Sequence, residues 1–214
     1  MRSLMDVARR RTDEVYERLR AEIIRGDLRP REALSEIEIA ERLQVSRTPV
    51  RESLQRLDSE GLITSHRRRW IVYEHTTDEI REIYEVRAAL EGYSARLACL
   101  RATEDELAEL AELRAEAENA DLESDKRVDL NEHLHDSVLR FAHNATLLKQ
   151  ARTSRLFFFN RAVAQLYTRA DLRVSAQQHL NLLDAVLRRD APAAEHAARE
   201  HVEYALELIL RKLP

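Results

Sequence analysis

Apolar residues recur at helical spacing along most of the chain. Residues 11–25 place Val15, Leu19 and Ile23 four positions apart, which is the spacing of one face of a helix. A glycine and a proline follow soon after and predict the end of this helix. Residues 62–74 differ, because β-branched and aromatic residues lie at both ends of a basic centre, and this pattern predicts a two-stranded hairpin.

From residue 78 to the end, every segment has helical periodicity and none alternates as a strand does. Thr103 and Glu106 have the spacing of a capping box, in which each side chain bonds the backbone of the other residue. A segment of this length can bury a core of its own. We therefore predict an all-helical domain at 78–214, separate from a domain at 1–75. Its six predicted helices are 78–100, 103–120, 127–142, 145–170, 172–189 and 192–212.

Two further short helices are predicted inside the first domain. Ser35 and Glu38 form a possible capping box at the start of 35–44, and the next helix begins after Ser46 and ends at Gly61. Two short helices joined by a turn form a helix-turn-helix, whose second helix enters the DNA major groove by its first residues. The residues predicted to contact DNA on this helix are Ser46, Arg47, Thr48 and Arg51.

The basic hairpin after these helices completes the pattern of a winged helix-turn-helix. Its predicted tip could hold the DNA backbone or the minor groove, or it could be a solvated turn, and its position directly after the helix pair favours DNA contact. The overall prediction is a mainly α protein, with a winged helix-turn-helix followed by an all-α bundle. The residues at the tip of the hairpin are Arg67, Arg68 and Arg69.

The net charge of the chain is −4, which is unexpected for a protein that binds DNA. Residues 1–75 contain 16 Lys and Arg against 14 Asp and Glu, so the excess negative charge lies in the second domain. Phosphate contact depends on local basic patches more than on the overall charge. The charge balance therefore leaves the prediction of DNA binding intact.

The single cysteine, Cys99, excludes a disulfide within the chain and favours a reducing compartment. No apolar run reaches the ~20 residues that cross a bilayer, and the first residues lack the apolar core of a signal peptide. We expect a cytoplasmic protein with no membrane partner.

Polar side chains interrupt the apolar faces of three helices in the second domain. Asn131 and His135 are four positions apart on one helix, and His179 and His201 lie on the apolar faces of two others. Buried polar groups need partners, and a single interior histidine is usually a satisfied core residue. Three histidines and Asn131 together favour a site for one divalent cation, Zn²⁺ or Ni²⁺, with room for a carboxylate ligand or water. Asn131 is the weakest of the four candidate ligands, because a neutral amide binds a cation less well than a carboxylate does.

Two alternatives to this metal site stay open at the level of the sequence. A metal-dependent hydrolase would use the open position to activate water, but no interior carboxylate stands out as a general base. A structural helical dimer without metal would bond the histidines to one another. The absence of a general base favours a binding protein over an enzyme.

Arg87 is a candidate for binding an effector. It lies on the same helix face as Ile80, Ile83 and Leu90, four positions before Glu91. The pair is either a structural ion pair at the edge of the core or a fork that binds the carboxylate of an effector.

The DNA-binding segment resembles a known family. LSEIEIAERLQVSRTPVRESLQRLDSEGLI (34–63) is similar to the DNA-binding domain of the GntR family of bacterial transcription regulators, and VSRTPVRESL follows its signature closely. The second domain resembles the FCD effector domain of the FadR-like group, through EVRAALEGYSARLA (85–98) and the histidine-containing segments 134–144 and 179–202.

The resemblance implies a homodimer that binds a palindromic operator and is released or repositioned by a small organic acid at the metal site. Our leading hypothesis is a repressor. It places His135, His179 and His201 on metal ligands of the family. The chain departs from the family at three positions. Asn131 stands where many members have Asp, Ile37 where some have a DNA-contacting Arg, and Arg69 where the wing usually has glycine.

Overall fold

The computed structural model describes residues 4–66, 69–118, 124–155 and 167–212. Within these residues it contains nine helices and one three-stranded sheet. The predicted fold class is confirmed, because a winged helix-turn-helix precedes a bundle made only of helices. The chain divides into two compact units after Thr76.

The first unit combines three helices with the small sheet. Its strands are antiparallel in the order β1-β3-β2. The sequence predicted only β2 and β3, because the two residues of β1 are too few to show an alternating pattern. The elements are α1 (Leu4–Arg25), β1 (Ala33–Leu34), α2 (Glu36–Leu43), α3 (Arg47–Ser59), β2 (Ile63–His66) and β3 (Arg69–Val72).

The second helix of the helix-turn-helix, α3, is held by its buried face. Val50, Leu54 and Leu57 are fully buried, which leaves the opposite face of the helix exposed. Gly61 has a φ of 76°, a left-handed conformation that glycine adopts without steric cost, and it ends the helix as predicted. Ser46 is at the N-cap, as its position before the helix predicts, but its side chain makes no capping hydrogen bond.

The second unit is a bundle arranged around α4, which contacts α6, α7, α8 and α9. Its main core is formed by alanine, leucine and phenylalanine side chains such as Ala98, Leu134, Phe141 and Leu182. No helix in the described ranges is both long enough and apolar enough to cross a membrane. The elements are α4 (Thr77–Arg101), α5 (Glu104–Ala117), α6 (Ser124–Phe141), α7 (Ala145–Arg155), α8 (Arg169–Leu187) and α9 (Ala191–Lys212).

The predicted helix at 145–170 is wrong at its end. Tyr167 and Thr168 are not helical, and residues 156–166 lie outside the described residues. Thr168 is the N-cap of α8 and forms a capping box with Asp171, so this helix begins three residues earlier than predicted. The capping box predicted for Thr103 and Glu106 is confirmed.

Candidate metal and DNA-binding sites

Three helices of the bundle bring three imidazoles together. His135 on α6, His179 on α8 and His201 on α9 each offer one ring nitrogen, and these nitrogens lie within 4.8 Å of one another. The Nε2 atoms of His179 and His201 are 3.2 Å apart. All three residues are at most 9% exposed. The structure therefore groups the three histidines that the sequence placed on separate apolar faces.

The partners of two of the rings fix which nitrogen carries the proton. The Nδ1 of His135 is 3.0 Å from Oε2 of Glu91 on α4, and the Nδ1 of His201 is 3.3 Å from Oε1 of Gln178. A carboxylate or an amide oxygen accepts a hydrogen bond, so each Nδ1 donates. In the neutral imidazole the Nε2 atom then keeps its lone pair, which is the form that binds a metal.

The arrangement of these three rings is compatible with one divalent metal ion. Two nitrogens bound to one tetrahedral Zn²⁺ at about 2.0–2.1 Å are about 3.3 Å apart, close to the 3.2 Å between the Nε2 atoms of His179 and His201. Metal-binding histidines commonly donate their other ring nitrogen to a carboxylate, as His135 does to Glu91. The donor set and its hydrogen-bonded surroundings thus match a divalent transition metal.

Asn131 lies one turn before His135 on α6 and is 8% exposed. Its side-chain nitrogen is buried and has no hydrogen-bond partner among the described residues. The amide oxygen is the only atom of this side chain that can bind a cation, and a neutral amide is a weaker ligand than a carboxylate. The unpaired amide nitrogen is consistent with a bound ligand that would accept its hydrogen bond.

Arg87 and Glu91 form a buried ion pair on α4, with nitrogen and oxygen 3.1 Å apart. The guanidinium carbon of Arg87 lies 4.4 Å from the centre of the Tyr84 ring. Burial by itself lowers the pKa of Arg87, but Tyr84 and Glu91 together raise it, so the side chain stays charged. Its Nη1 is buried and has no hydrogen-bond partner within the described part of the chain.

The contacts of Glu91 connect the arginine to the histidines. One of its oxygens bonds Arg87 and the other bonds His135. The sequence identified Glu91 only as the neighbour of Arg87. Its position on the same apolar face also indicated that its carboxylate would bond a second side chain in the interior. Gln178 was missed, because a glutamine next to His179 gives no periodic signal of its own.

In the first unit, the exposed end of α3 carries the predicted DNA-contacting residues. Ser46, Arg47, Thr48 and Arg51 are all exposed. The side chains of Arg47 and Arg51 are 58% and 54% exposed, and they are one helical turn apart. The two guanidinium groups therefore lie on one exposed face of α3.

Glu36, the first residue of α2, contacts both of these arginines. Its carboxylate accepts bonds from Nε and Nη2 of Arg51 at 3.0 and 2.7 Å, and from Nη2 of Arg47 at 3.4 Å. The indole N–H of Trp70 also donates to it, at 3.4 Å. The hydrogen bond with Arg51 lowers the pKa of Glu36 to about 2. No pattern in the sequence indicates this contact, because it joins two helices across the turn.

The wing is described only in part. Arg69 is exposed at the start of β3, where it is paired with His66 of β2. Arg67 and Arg68 lie outside the described residues. A surface cavity beside α2 and α3 is lined by the side chains of Glu36, Arg47, Arg51 and Arg69 among others.

Comparisons with known proteins assign both units. Residues 11–72 match the bacterial regulatory proteins of the gntR family, and residues 82–204 match the FCD domain. The second match alone spans more than half of the chain. The chain belongs to the gntR family of bacterial regulatory proteins.

Related sequences and structures agree with this assignment. The gntR-family protein is 32% identical to the Nta operon transcriptional regulator of Aminobacter aminovorans, over 85% of this chain and 86% of the relative. It is 29% identical to the galactonate operon transcriptional repressor of Escherichia coli, over 88% of this chain and 92% of the relative. The Escherichia coli structure McbR/YncC has the same fold, with a TM-score of 0.79 at 24% identity, covering 94% of this chain and 98% of that one.

Because its relatives are transcriptional regulators, the gntR-family protein is a DNA-binding regulator rather than an enzyme. The hydrolase considered from the sequence is thereby excluded. The three-histidine cluster is consequently a candidate for sensing and not for catalysis.

Proposed function

We propose that this protein is a homodimeric cytoplasmic repressor that binds a palindromic operator and responds to a small carboxylic acid at a metal site. The observation that carries the proposal is the convergence of His135, His179 and His201 inside the helical unit. The histidines and Asn131 would hold Zn²⁺ or Ni²⁺, and the bound cation would supply positive charge for a carboxylate ligand.

Arg87 is proposed to bind the carboxylate of the effector directly. Its unpartnered Nη1 is a buried donor, and such a group is costly unless a ligand or water accepts from it. A carboxylate can accept two parallel hydrogen bonds from one guanidinium group. The charged contacts from Arg87 through Glu91 to His135 support placing the ligand next to the cluster.

The similarity to the repressor of the galactonate operon supports a repressor. In the first unit, Ser46, Arg47, Thr48 and Arg51 are proposed to contact the operator, with Arg47 and Arg51 binding guanine edges or phosphates. Arg67, Arg68 and Arg69 are proposed to contact the flanking backbone.

Metal analysis of the purified protein tests the cation first. Wild type loaded with Zn²⁺ or Ni²⁺ should retain about one ion per chain after dialysis, and His201→Ala should lose it. His196→Ala is the matched control, because His196 is exposed on the same helix, α9. Equal metal content in wild type and His201→Ala would favour the structural alternative, in which the histidines bond to one another.

The effector is tested on the metal-loaded protein. A thermal-shift screen of sugar acids, hydroxy acids and dicarboxylates should find a compound that raises the melting temperature. The same compound should change operator affinity in a fluorescence-anisotropy titration, using a duplex selected from a random pool by the wild-type protein. Arg87→Lys, which keeps the charge but loses the fork, should weaken the shift. No response in any acid class would contradict the proposal.

A further inference from the structure

The contacts of Glu36 place a negative charge between two residues that are proposed to bind DNA. A carboxylate on a DNA-binding surface opposes phosphate contact, since every phosphate carries a negative charge. Yet the side chain of Glu36 is only 17% exposed and accepts bonds from Arg47, Arg51 and Trp70. Contact with solvent alone therefore does not explain a carboxylate at this position.

The bonds between Glu36 and Arg51 have the geometry of a two-point clamp. The Nε and Nη2 atoms of Arg51 bond different oxygens of one carboxylate, which fixes the plane of the guanidinium. A free arginine side chain loses rotamer entropy when it binds a base edge, and fixing it beforehand removes part of that cost. The indole N–H of Trp70 donates to the same carboxylate and helps to hold it in place.

The clamp also changes the charge of the surface. The single carboxylate offsets part of the charge of the two guanidinium groups, which weakens attraction to phosphate on any sequence. Contacts to base edges depend on the orientation of the Arg51 guanidinium, which the clamp restricts.

We infer that Glu36 is a positioning residue for sequence-specific DNA recognition, which acts by orienting Arg51 and Arg47 and by opposing non-specific phosphate binding. The inference rests on the proposed role of these arginines at the operator. It assigns to α2 a contribution to specificity that does not require contact between Glu36 and a base.

The test compares wild type with Glu36→Gln, which keeps the shape of the side chain and removes its charge. Affinity is measured for the selected duplex and for a scrambled duplex of equal length. Non-specific affinity should rise, and the ratio of specific to non-specific affinity should fall by about tenfold, the scale of one bidentate base contact. Glu38→Gln is the matched control, since it removes the same charge from the first turn of the same helix.

A double-mutant cycle separates positioning from a general charge effect. If Glu36 acts through Arg51, adding Glu36→Gln to Arg51→Ala should change the specificity ratio much less than it does in wild type. Additive effects would overturn the inference, as would an equal rise in affinity for both duplexes.

The only tryptophan, Trp70, should report the same contact, because its fluorescence should change in Glu36→Gln and not in Glu38→Gln.

The two proposals fail in different ways. If Arg51→Ala keeps full operator affinity, the assignment of this arginine to DNA is wrong and the inference about Glu36 falls with it. If Arg51→Ala loses operator affinity while Glu36→Gln keeps the wild-type specificity ratio, only the inference about Glu36 is overturned.

Discussion

Glu91 bonds the ring of His135 and the guanidinium of Arg87 at the same time. Removing its charge should weaken the hydrogen bond that directs the Nε2 lone pair of His135. We expect Glu91→Gln to lower Zn²⁺ affinity by about 10–100-fold, the usual effect of losing such a partner. Competition with a chelator of known affinity measures the change.

Glu85→Gln serves as the control for this prediction, because Glu85 is exposed on the same helix, α4. The loss of charge next to Arg87 also destabilises the core, so thermal unfolding must show that the variant is folded at the temperature of the titration. Unchanged zinc affinity in folded Glu91→Gln would show that Glu91 does not support the metal ligand.

The lowered pKa of Glu36, about 2 in the folded protein, also predicts a dependence of stability on pH. A carboxylate whose pKa is lowered by folding contributes its full stabilisation above its ordinary pKa and loses it as the pH falls through the folded value. The stability difference between wild type and Glu36→Gln should be constant from pH 7 to pH 5 and shrink below about pH 4.5. Urea unfolding at each pH measures it, and a difference that grows on acidification would contradict the assignment.

At the scale of single residues, the sequence predicted which side chains lie on the interior faces of helices but not which residues they contact. His135, His179 and His201 were found because 100° steps along a helix show which side chains share a face. The contact between Glu36 and Arg51 joins two helices across a turn, and no periodicity reports the distance between them. The same reason explains why Gln178 was missed as the partner of His201.

At the scale of elements, helix ends depend on single capping residues. The hydroxyl of Thr168 accepts from the backbone of Asp171, and the Asp171 carboxylate accepts from the backbone of Thr168. We expect Thr168→Ala to lower the free energy of unfolding by about 1 kcal/mol, whereas Thr168→Ser keeps the hydroxyl and most of the stability. Urea unfolding of the three proteins measures the difference, and equal losses in both variants would argue against the cap.

The same capping box shows why one helix boundary was predicted wrongly. The apolar periodicity of 145–170 and that of 172–189 adjoin without a glycine or proline between them. Periodicity alone therefore places the boundary poorly, while the pairing of Thr168 with Asp171 marks the start of α8. Where a glycine is present, as at Gly61 after α3, the predicted end is correct.

At the scale of the whole molecule, the proposed regulation requires that the acid bind two arrangements of the proposed dimer with different affinity. A ligand with equal affinity for both arrangements shifts neither population, however tightly it binds. The metal site and Arg87 would then affect operator affinity only through this difference in acid affinity between the two arrangements. Thermodynamic linkage makes the effect reciprocal, so operator DNA must change the affinity for the acid by the same factor.

Because the coupling is reciprocal, it can be tested without knowing how one unit influences the other. If the acid found in the screen lowers operator affinity by about tenfold, a typical coupling, saturating operator should lower acid affinity by the same factor. Calorimetric titration of the acid into the zinc-loaded protein, with and without the selected duplex, measures both values. The scrambled duplex should leave acid affinity unchanged at a concentration where it does not bind. Equal acid affinity in the presence and absence of operator would mean that the acid is bound without regulating DNA contact.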